Sequence, residues 1–73
     1  MISKRRFVSK LRELGYEFKE MLHFQERYRK AGGTHIIHVP RKNALDEEYV
    51  RSTLAQAGQS KPQIEEFIRA ARA

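Results

Sequence analysis

Histidines and arginines lie close together in the middle of the sequence. His23 precedes Arg27 and Arg29, and His35 and His38 follow a short distance later. Histidine changes its protonation state near neutral pH and can act as a base or an acid, while arginine stabilises negative charge on a phosphate. In a metal-free cleavage of a phosphodiester such as that of RNA, which needs a base, cations and an acid, His23 would supply the catalytic base, with Arg27 and Arg29 as two cations on the same strand face.

The residues around these side chains predict a β-hairpin. Four of the six residues from Thr34 to Val39 are β-branched, and Pro40 prevents a helix from continuing through them. The glycines of Ala31-Gly32-Gly33 suit a tight turn, and Phe24 to Tyr28 supplies the partner strand.

Alternation of side chains divides the first strand of this hairpin into two faces. One face is predicted to carry cationic and hydrogen-bonding residues that contact water or a ligand: His23, Gln25, Arg27 and Arg29. The other is predicted to carry Phe24, Glu26 and Tyr28. We expect His35 to pair across the hairpin, and His38 to share its face only through a bulge or twist.

Residues 16–30 allow two interpretations. Several apolar and aromatic residues fall on a helical period, and local propensity slightly favours a helix. Alternatively, Tyr16 and Phe18 begin one strand and Phe24 belongs to the next, with a reversal near Glu20 to Leu22 that no glycine or asparagine marks. A strand after a Gly-Gly turn needs an upstream partner, which favours the second interpretation.

The first helix is predicted to begin almost at the N-terminus. Ser3 is a suitable N-cap, Ile2 and Phe7 have the spacing of a hydrophobic staple, and Gly15 ends the helix. Its first turn contains three cations, Lys4, Arg5 and Arg6, which oppose the helix dipole. A bound phosphate chain would relieve this cost, and a solvated basic end would explain the cations equally well.

Two further helices are predicted in the second half. Asp46 is the expected N-cap of the first, with Glu47 and Glu48 in its first turn and Gly58 at its end. Ser60 and Gln63 match a capping box that begins a short last helix, in which Pro62 is tolerated.

Composition limits the possible functions. The net charge is +6 and the pI is about 10.1, so a polyanion such as RNA is the first partner to consider. The chain has no cysteine, and three histidines alone make a structural zinc site improbable, so we predict no metal and no cofactor. We also expect no signal peptide, no membrane span and a cytoplasmic location.

Several motifs carry a family resemblance. Residues 48–58 read Glu-Tyr-Val-Arg-Ser-Thr-Leu-Ala-Gln-Ala-Gly, and HicA toxins tend to carry Gly-Thr-Leu-Arg-Ser-Ile-Leu-x-Gln-Ala-Gly there. The matching residues are Arg51, Ser52, Leu54, Gln56, Ala57 and Gly58. The chain is also similar to the family at Val39-Pro40, Leu14-Gly15-Tyr16 and Glu65-Glu66-Phe67.

This resemblance implies a single HicA-like domain over residues 1–73. The implied fold is α+β, an α-β-β-β-α arrangement like that of double-stranded-RNA-binding domains, with a short extra C-terminal helix. Its three-stranded antiparallel sheet would carry the helices on one face. The implied activity is cleavage of messenger RNA without a metal, and the implied partners are RNA and an antitoxin of HicB type.

The family's catalytic histidine is where the chain departs from the pattern. Counting back from Val39-Pro40 places that histidine at Gln25, two residues after His23, and glutamine cannot act as a base. Either His23 reaches the catalytic place, or the chain is a non-catalytic module that binds nucleic acid or protein. The predicted RNA contacts are Lys4, Arg5, Arg6, Gln25, Arg27, Arg29, His35, Arg41 and Lys42.

Overall fold

The fold is α+β and combines three helices with a three-stranded and a two-stranded sheet. The computed structural model describes residues 1–72. Its elements in chain order are β1 (Ile2–Ser3), α1 (Lys4–Glu13), β2 (Tyr16–Leu22), β3 (Gln25–Lys30), β4 (Ile36–Pro40), β5 (Ala44–Leu45), α2 (Glu47–Gln56) and α3 (Lys61–Ala71). The predicted fold class is therefore confirmed, and residues 16–30 form two strands rather than a helix.

The larger sheet has the strand order β2-β3-β4, and both pairings are antiparallel. Tyr28 of β3 lies opposite Phe18 of β2 and Ile37 of β4 on the inner face, which is packed against the helices. Arg27 lies opposite His38 on the outer face, and neither side chain belongs to the hydrophobic core. The sheet therefore has one apolar face and one polar face.

A β-bulge at Lys19 interrupts the alternation along β2. Phe18 pairs with Tyr28, but the next pair is Glu20 with Arg27, so Lys19 is an extra residue in β2. An extra residue moves every later side chain of the strand to the opposite face. Glu20 consequently lies on the outer face, where simple alternation from Phe18 would have placed it on the inner one.

The two turns of this sheet differ in their residues. Gly32 has a φ of 74°, and the Gly33 N–H donates to the Lys30 carbonyl at 3.0 Å, which confirms the predicted glycine turn. The turn between β2 and β3 consists of His23 and Phe24, whose φ angles are 53° and 61°. Positive φ at both central residues is the pattern of a type I′ hairpin turn.

Three details of the predicted sheet are wrong. The reversal lies at residues 23–24 rather than near Glu20 to Leu22, because Leu22 and Gln25 form the pair that closes the turn. For the same reason, β3 begins at Gln25 and not at Phe24. The following strand begins at Ile36 rather than Thr34.

The helix ends agree closely with the sequence signals. Ser3 caps α1 by accepting from the Arg6 N–H at 3.4 Å, and Ser60 and Gln63 form a reciprocal capping box on α3. Asp46 occupies the N-cap position of α2, but its side chain accepts no capping hydrogen bond. The pairing of β1 with β5, which joins the N-terminus to the start of α2, was not predicted.

A compact core joins the helices to the inner sheet face. Its residues are Ile2, Phe7, Leu11, Tyr16, Tyr28, Ile37, Val39, Leu45, Val50, Leu54, Ile64, Ile68 and Ala71. The buried staple residues Ile2 and Phe7 fix the start of α1 against this core, so the first turn of α1 is held beside β3. Within residues 1–72, none of the helices is long and apolar enough to cross a membrane.

Candidate nucleic-acid interface

A cleft of about 560 Å³ lies between α1, β3 and the loop after β4. Its lining residues are Lys4, Arg5, Val8, Ser9, Arg12, Glu26, Tyr28 and Asn43. Arg5, Ser9 and Arg12 have the i, i+4, i+7 spacing that places side chains on one face of a helix. One wall of the cleft is thus formed by a cationic and hydroxyl-bearing face of α1.

A hydrogen-bonded triad of Lys4, Glu26 and Tyr28 lies at the other side of the cleft. The Lys4 ammonium donates to Glu26 Oε2, and the Tyr28 hydroxyl donates to Glu26 Oε1 at 2.9 Å. The side chains of Lys4 and Glu26 are only 19% and 14% exposed. Lys4 is therefore held in place, and one of the predicted RNA contacts is engaged within the protein.

The triad shifts the pKa values of both acidic groups. Burial acts to raise the pKa of the Glu26 carboxyl, but the hydrogen bonds from Lys4 and Tyr28, together with the charges of Lys4 and Arg41, lower it. Burial, followed by the hydrogen bond to Glu26 and its negative charge, raises the pKa of Tyr28 to about 12, against an opposing effect of Arg12. Arg12 and Arg41 thus influence the triad from α1 and from the loop after β4.

Arg5 and Arg12 line this cleft and form no ion pair within residues 1–72, whereas Arg29, Lys30, Lys61 and Arg69, also without an ion pair there, lie on other parts of the fold. The lysines and arginines that form ion pairs are Lys4, Lys10, Lys19, Arg27, Arg51 and Arg72. Among residues 1–72, those without an ion pair on α1 and on the loop after β4 are Arg5, Arg6, Arg12, Arg41 and Lys42. Glu26 supplies the cleft's one lining carboxylate, so its net charge is strongly positive.

A groove of about 430 Å³ between α1 and α3 differs from the cleft in its charge. Its lining includes Arg6 and Lys10, but also Glu13 and Glu66. Because these charges balance, this groove lacks the positive potential that the cleft has.

The outer face of the sheet carries a second set of the predicted residues. Arg27 Nη1 donates to Glu20 Oε2 at 2.6 Å, and Arg27 lies opposite His38 of β4. Arg29 is exposed on the same face, and Gln25 lies opposite Pro40. A cavity of about 100 Å³ adjoins these side chains and is lined by Lys19, Glu20, Arg27, Tyr28, Arg29 and Ile36.

The three histidines lie in three different places. His23 is an exposed turn residue, so the prediction that it shares a strand face with Arg27 and Arg29 is wrong. His35 Nδ1 is 2.5 Å from the Tyr16 hydroxyl. Tyr16 begins β2 and His23 follows its end, so His35 and His23 lie about 20 Å apart along the strand. His35 therefore does not pair with His23. His38 is exposed on the outer face.

Eight of the nine predicted contacts thus divide between two surfaces, and His35, which is hydrogen-bonded to Tyr16, belongs to neither. Lys4 and Arg5 line the cleft, Arg6 lies beside it on α1, and Arg41 and Lys42 follow β4. The outer-face group is Gln25, Arg27 and Arg29. Sequence reasoning missed Ser9 and Arg12 in the cleft, although their helical spacing from Arg5 is visible in the sequence. It also missed the Lys4–Glu26–Tyr28 triad, which depends on how α1 packs on β3.

Comparison with family models, curated proteins and solved structures gave no match. Across residues 1–72, no group of three or more histidine, cysteine, aspartate and glutamate side chains is placed to hold a metal ion.

Proposed function

We propose that this chain binds RNA through the cleft between α1 and β3, and that it acts as a HicA-like toxin that cleaves messenger RNA without a metal. The observation that carries the proposal is that Arg5 and Arg12, which form no ion pair within residues 1–72, line this cleft, while Arg6 on α1 and Arg41 and Lys42 after β4 lie on the adjoining segments. A phosphate chain is the ligand that such a surface favours, because each neutralised phosphate releases condensed counterions.

The cationic side chains of the cleft differ in whether they are free to bind a phosphate. Lys4 is neutralised by Glu26, whereas Arg5 and Arg12 keep their guanidinium groups available for phosphate oxygens. Ser9 lies between them on the same helix face and adds a hydroxyl donor. The RNA backbone would therefore follow the exposed face of α1.

A non-catalytic module is the second candidate, and one observation favours it. Gln25 stands on the outer face of β3 at the place where the resemblance expects a histidine, and glutamine has no protonation change with which to activate a hydroxyl. Under this alternative, the chain binds nucleic acid or a protein partner and leaves RNA intact.

The same proposal implies a cytoplasmic protein whose activity is restrained by an antitoxin of HicB type. An inhibitor that covers the basic cleft would need acidic side chains, since it would replace phosphates there. Growth arrest on expression, relieved by co-expression of such a partner, is the expected cellular phenotype.

Binding of a fluorescently labelled single-stranded oligoribonucleotide at several salt concentrations tests the proposal. The Arg5→Ala/Arg12→Ala variant should bind more weakly and show a smaller slope of log affinity against log salt, by about one for each phosphate contact removed. Lys61→Ala/Arg69→Ala is the matched control, because it removes two helical cations that lie outside the cleft.

The two variants have equal net charge, so a general electrostatic effect would weaken both alike. Equal losses in the two variants would contradict a specific cleft, and a wild-type affinity independent of salt would contradict RNA binding altogether. Selective loss in the Arg5→Ala/Arg12→Ala variant supports the proposed function.

A further inference from the structure

We propose that the outer face of the sheet is the site of RNA cleavage, with His38 as the catalytic base and Arg27 as the group that stabilises the phosphorane. This inference rests on the proposed function and adds to it a catalytic base, His38, that the sequence did not reveal. Its basis is a cross-strand row in which Glu20, Arg27 and His38 lie side by side on β2, β3 and β4.

The bulge at Lys19 creates this row. Because Lys19 is an extra residue in β2, Glu20 is turned onto the outer face and lies directly opposite Arg27. Without the bulge, Glu20 would point toward the helices, and Arg27 would have no carboxylate beside it. Bulges that redirect a side chain in this way are frequent next to active sites.

Glu20 fixes the orientation of the Arg27 guanidinium. The 2.6 Å hydrogen bond uses Nη1 of Arg27 and leaves its other N–H groups available to a ligand. Arg29 lies two residues along the same strand and faces the same way, and both arginines line the cavity of about 100 Å³. A scissile phosphate bound there would meet two guanidinium groups.

His38 does not line this cavity, but it lies directly opposite Arg27 on β4 and is exposed on the same face of the sheet. Directly opposed residues in an antiparallel pair have Cβ atoms about 5 Å apart, so the His38 ring can reach a ligand held by Arg27. The Tyr49 hydroxyl of α2 donates to the His38 carbonyl, and Tyr49 packs against Phe7 with ring centroids 5.8 Å apart. The backbone that carries His38 is therefore anchored to the core.

The loop after β4 connects this site to the cleft. Asn43 lines the cleft, and the free cations Arg41 and Lys42 separate it in sequence from the end of β4. An RNA chain bound along α1 can pass over these cations and reach the outer face beside His38. The two surfaces would then act on one strand.

The proposed step is a transesterification. His38 Nδ1 or Nε2 takes the proton of the 2′-hydroxyl, the 2′-oxygen bonds to phosphorus, and Arg27 and Arg29 stabilise the charge on the non-bridging oxygens. The bond from phosphorus to the 5′-oxygen breaks, and water donates a proton to that oxygen. The hydroxide left behind takes the proton back from His38. The products carry a 2′,3′-cyclic phosphate and a 5′-hydroxyl.

Cleavage of an end-labelled oligoribonucleotide by wild type, His38→Ala, His38→Gln and Arg27→Ala tests this assignment. The His38 variants should lose about 10²- to 10⁴-fold in rate, the range for a general base, and keep wild-type RNA affinity. Arg27→Ala should lose about 10²- to 10³-fold. His23→Ala is the matched control and should cleave as wild type does. Circular dichroism checks that each variant folds.

The outcomes separate the two proposals. Selective loss in the His38 and Arg27 variants, cyclic phosphate ends, and resistance of a substrate with 2′-deoxyribose at the cleavage site support the outer-face site. Wild-type rates in both His38 variants, or loss in His23→Ala instead, would overturn the outer-face site and leave the proposed function intact. RNA binding without any cleavage by wild type would overturn both the outer-face site and the proposed cleavage, and would favour the non-catalytic module. Failure of wild type to bind RNA would overturn the proposed function itself.

Discussion

The first turns of α1 and α2 carry opposite charges, although the two helices begin in the same way. Both N-cap residues, Ser3 and Asp46, have extended backbone angles, and both helix starts have a buried hydrophobic staple, Ile2 with Phe7 and Leu45 with Val50. The first turn of α2 contains Glu47 and Glu48, which the helix dipole favours. The first turn of α1 contains no acidic residue, and its cations oppose the dipole.

The two helix starts also differ in whether their first-turn charges have partners elsewhere in the protein. Glu47 accepts two hydrogen bonds from Arg72, at 3.0 and 3.2 Å, and the pKa of its carboxyl is lowered by these bonds. At α1, Glu26 of β3 pairs with Lys4, whereas Arg5 takes part in no ion pair within residues 1–72. Folding accounts for the charges at α2 and for Lys4 of α1, and it leaves Arg5 available for a ligand.

The largest effect on stability should come from removing the cation of the Lys4–Glu26 ion pair, with the Arg72–Glu47 ion pair as the comparison. Lys4→Met keeps the aliphatic stem but leaves the half-buried Glu26 carboxylate without its cation, and it should lower the free energy of unfolding by about 1–3 kcal/mol. Arg72→Met, the control at α2, removes an exposed partner and should have a smaller effect. Urea denaturation measures both. Equal losses would contradict the distinction between a half-buried and an exposed pair.

The free energy of unfolding at acid pH should depend on the Lys4–Glu26 pair. The lowered pKa of Glu26 means that its contribution is complete above the pKa of an unfolded glutamate and is lost as the pH falls through the lower, folded value. Glu26→Gln should therefore flatten this part of the stability profile. A profile in Glu26→Gln that matches wild type would show that the triad does not couple folding to protons.

The free energy of unfolding at alkaline pH should depend on the ionisation of Tyr28. Its pKa of about 12 lies above that of an unfolded tyrosine, so its contribution is complete below the unfolded value and is lost as the pH rises toward 12. Ultraviolet titration should show one phenol that ionises later than the others and disappears in Tyr28→Phe. Earlier ionisation of this phenol in Glu26→Gln would show that the Glu26 carboxylate adds to the effect of burial on the pKa of Tyr28.

The smallest effects should come from exchanging the charges of the two helix starts. Arg5→Glu should stabilise α1 by about 0.3–1 kcal/mol, and Glu48→Lys should destabilise α2 by a similar amount, because the dipole acts on both. Arg5→Glu should also weaken RNA binding, whereas Glu48→Lys should not. Thermal melts and the salt-dependent binding assay measure the two properties. Stabilisation together with undiminished RNA affinity would remove Arg5 from the interface.

Local signals made much of the fold predictable. Capping residues such as Ser3 and Ser60 and the glycine turn at residues 31–33 act over a few neighbouring positions, so they can be read from the sequence. The turn at His23 and Phe24 could not be read, because it contains none of the glycine, asparagine and aspartate residues that type I′ turns prefer. There the strand pairing on either side imposes the backbone conformation.

The sequence by itself determined the cationic start of α1, the helix ends and the strand character of Ile36–Pro40, because each follows from residues close together in the chain. Only the tertiary structure decided which side chains share a surface. The pairing of Lys4 with Glu26, and the bulge that aligns Glu20, Arg27 and His38, depend on helix packing and strand register. A one-residue change of register reverses the face of every side chain that follows it, and no local signal in β2 marks that change.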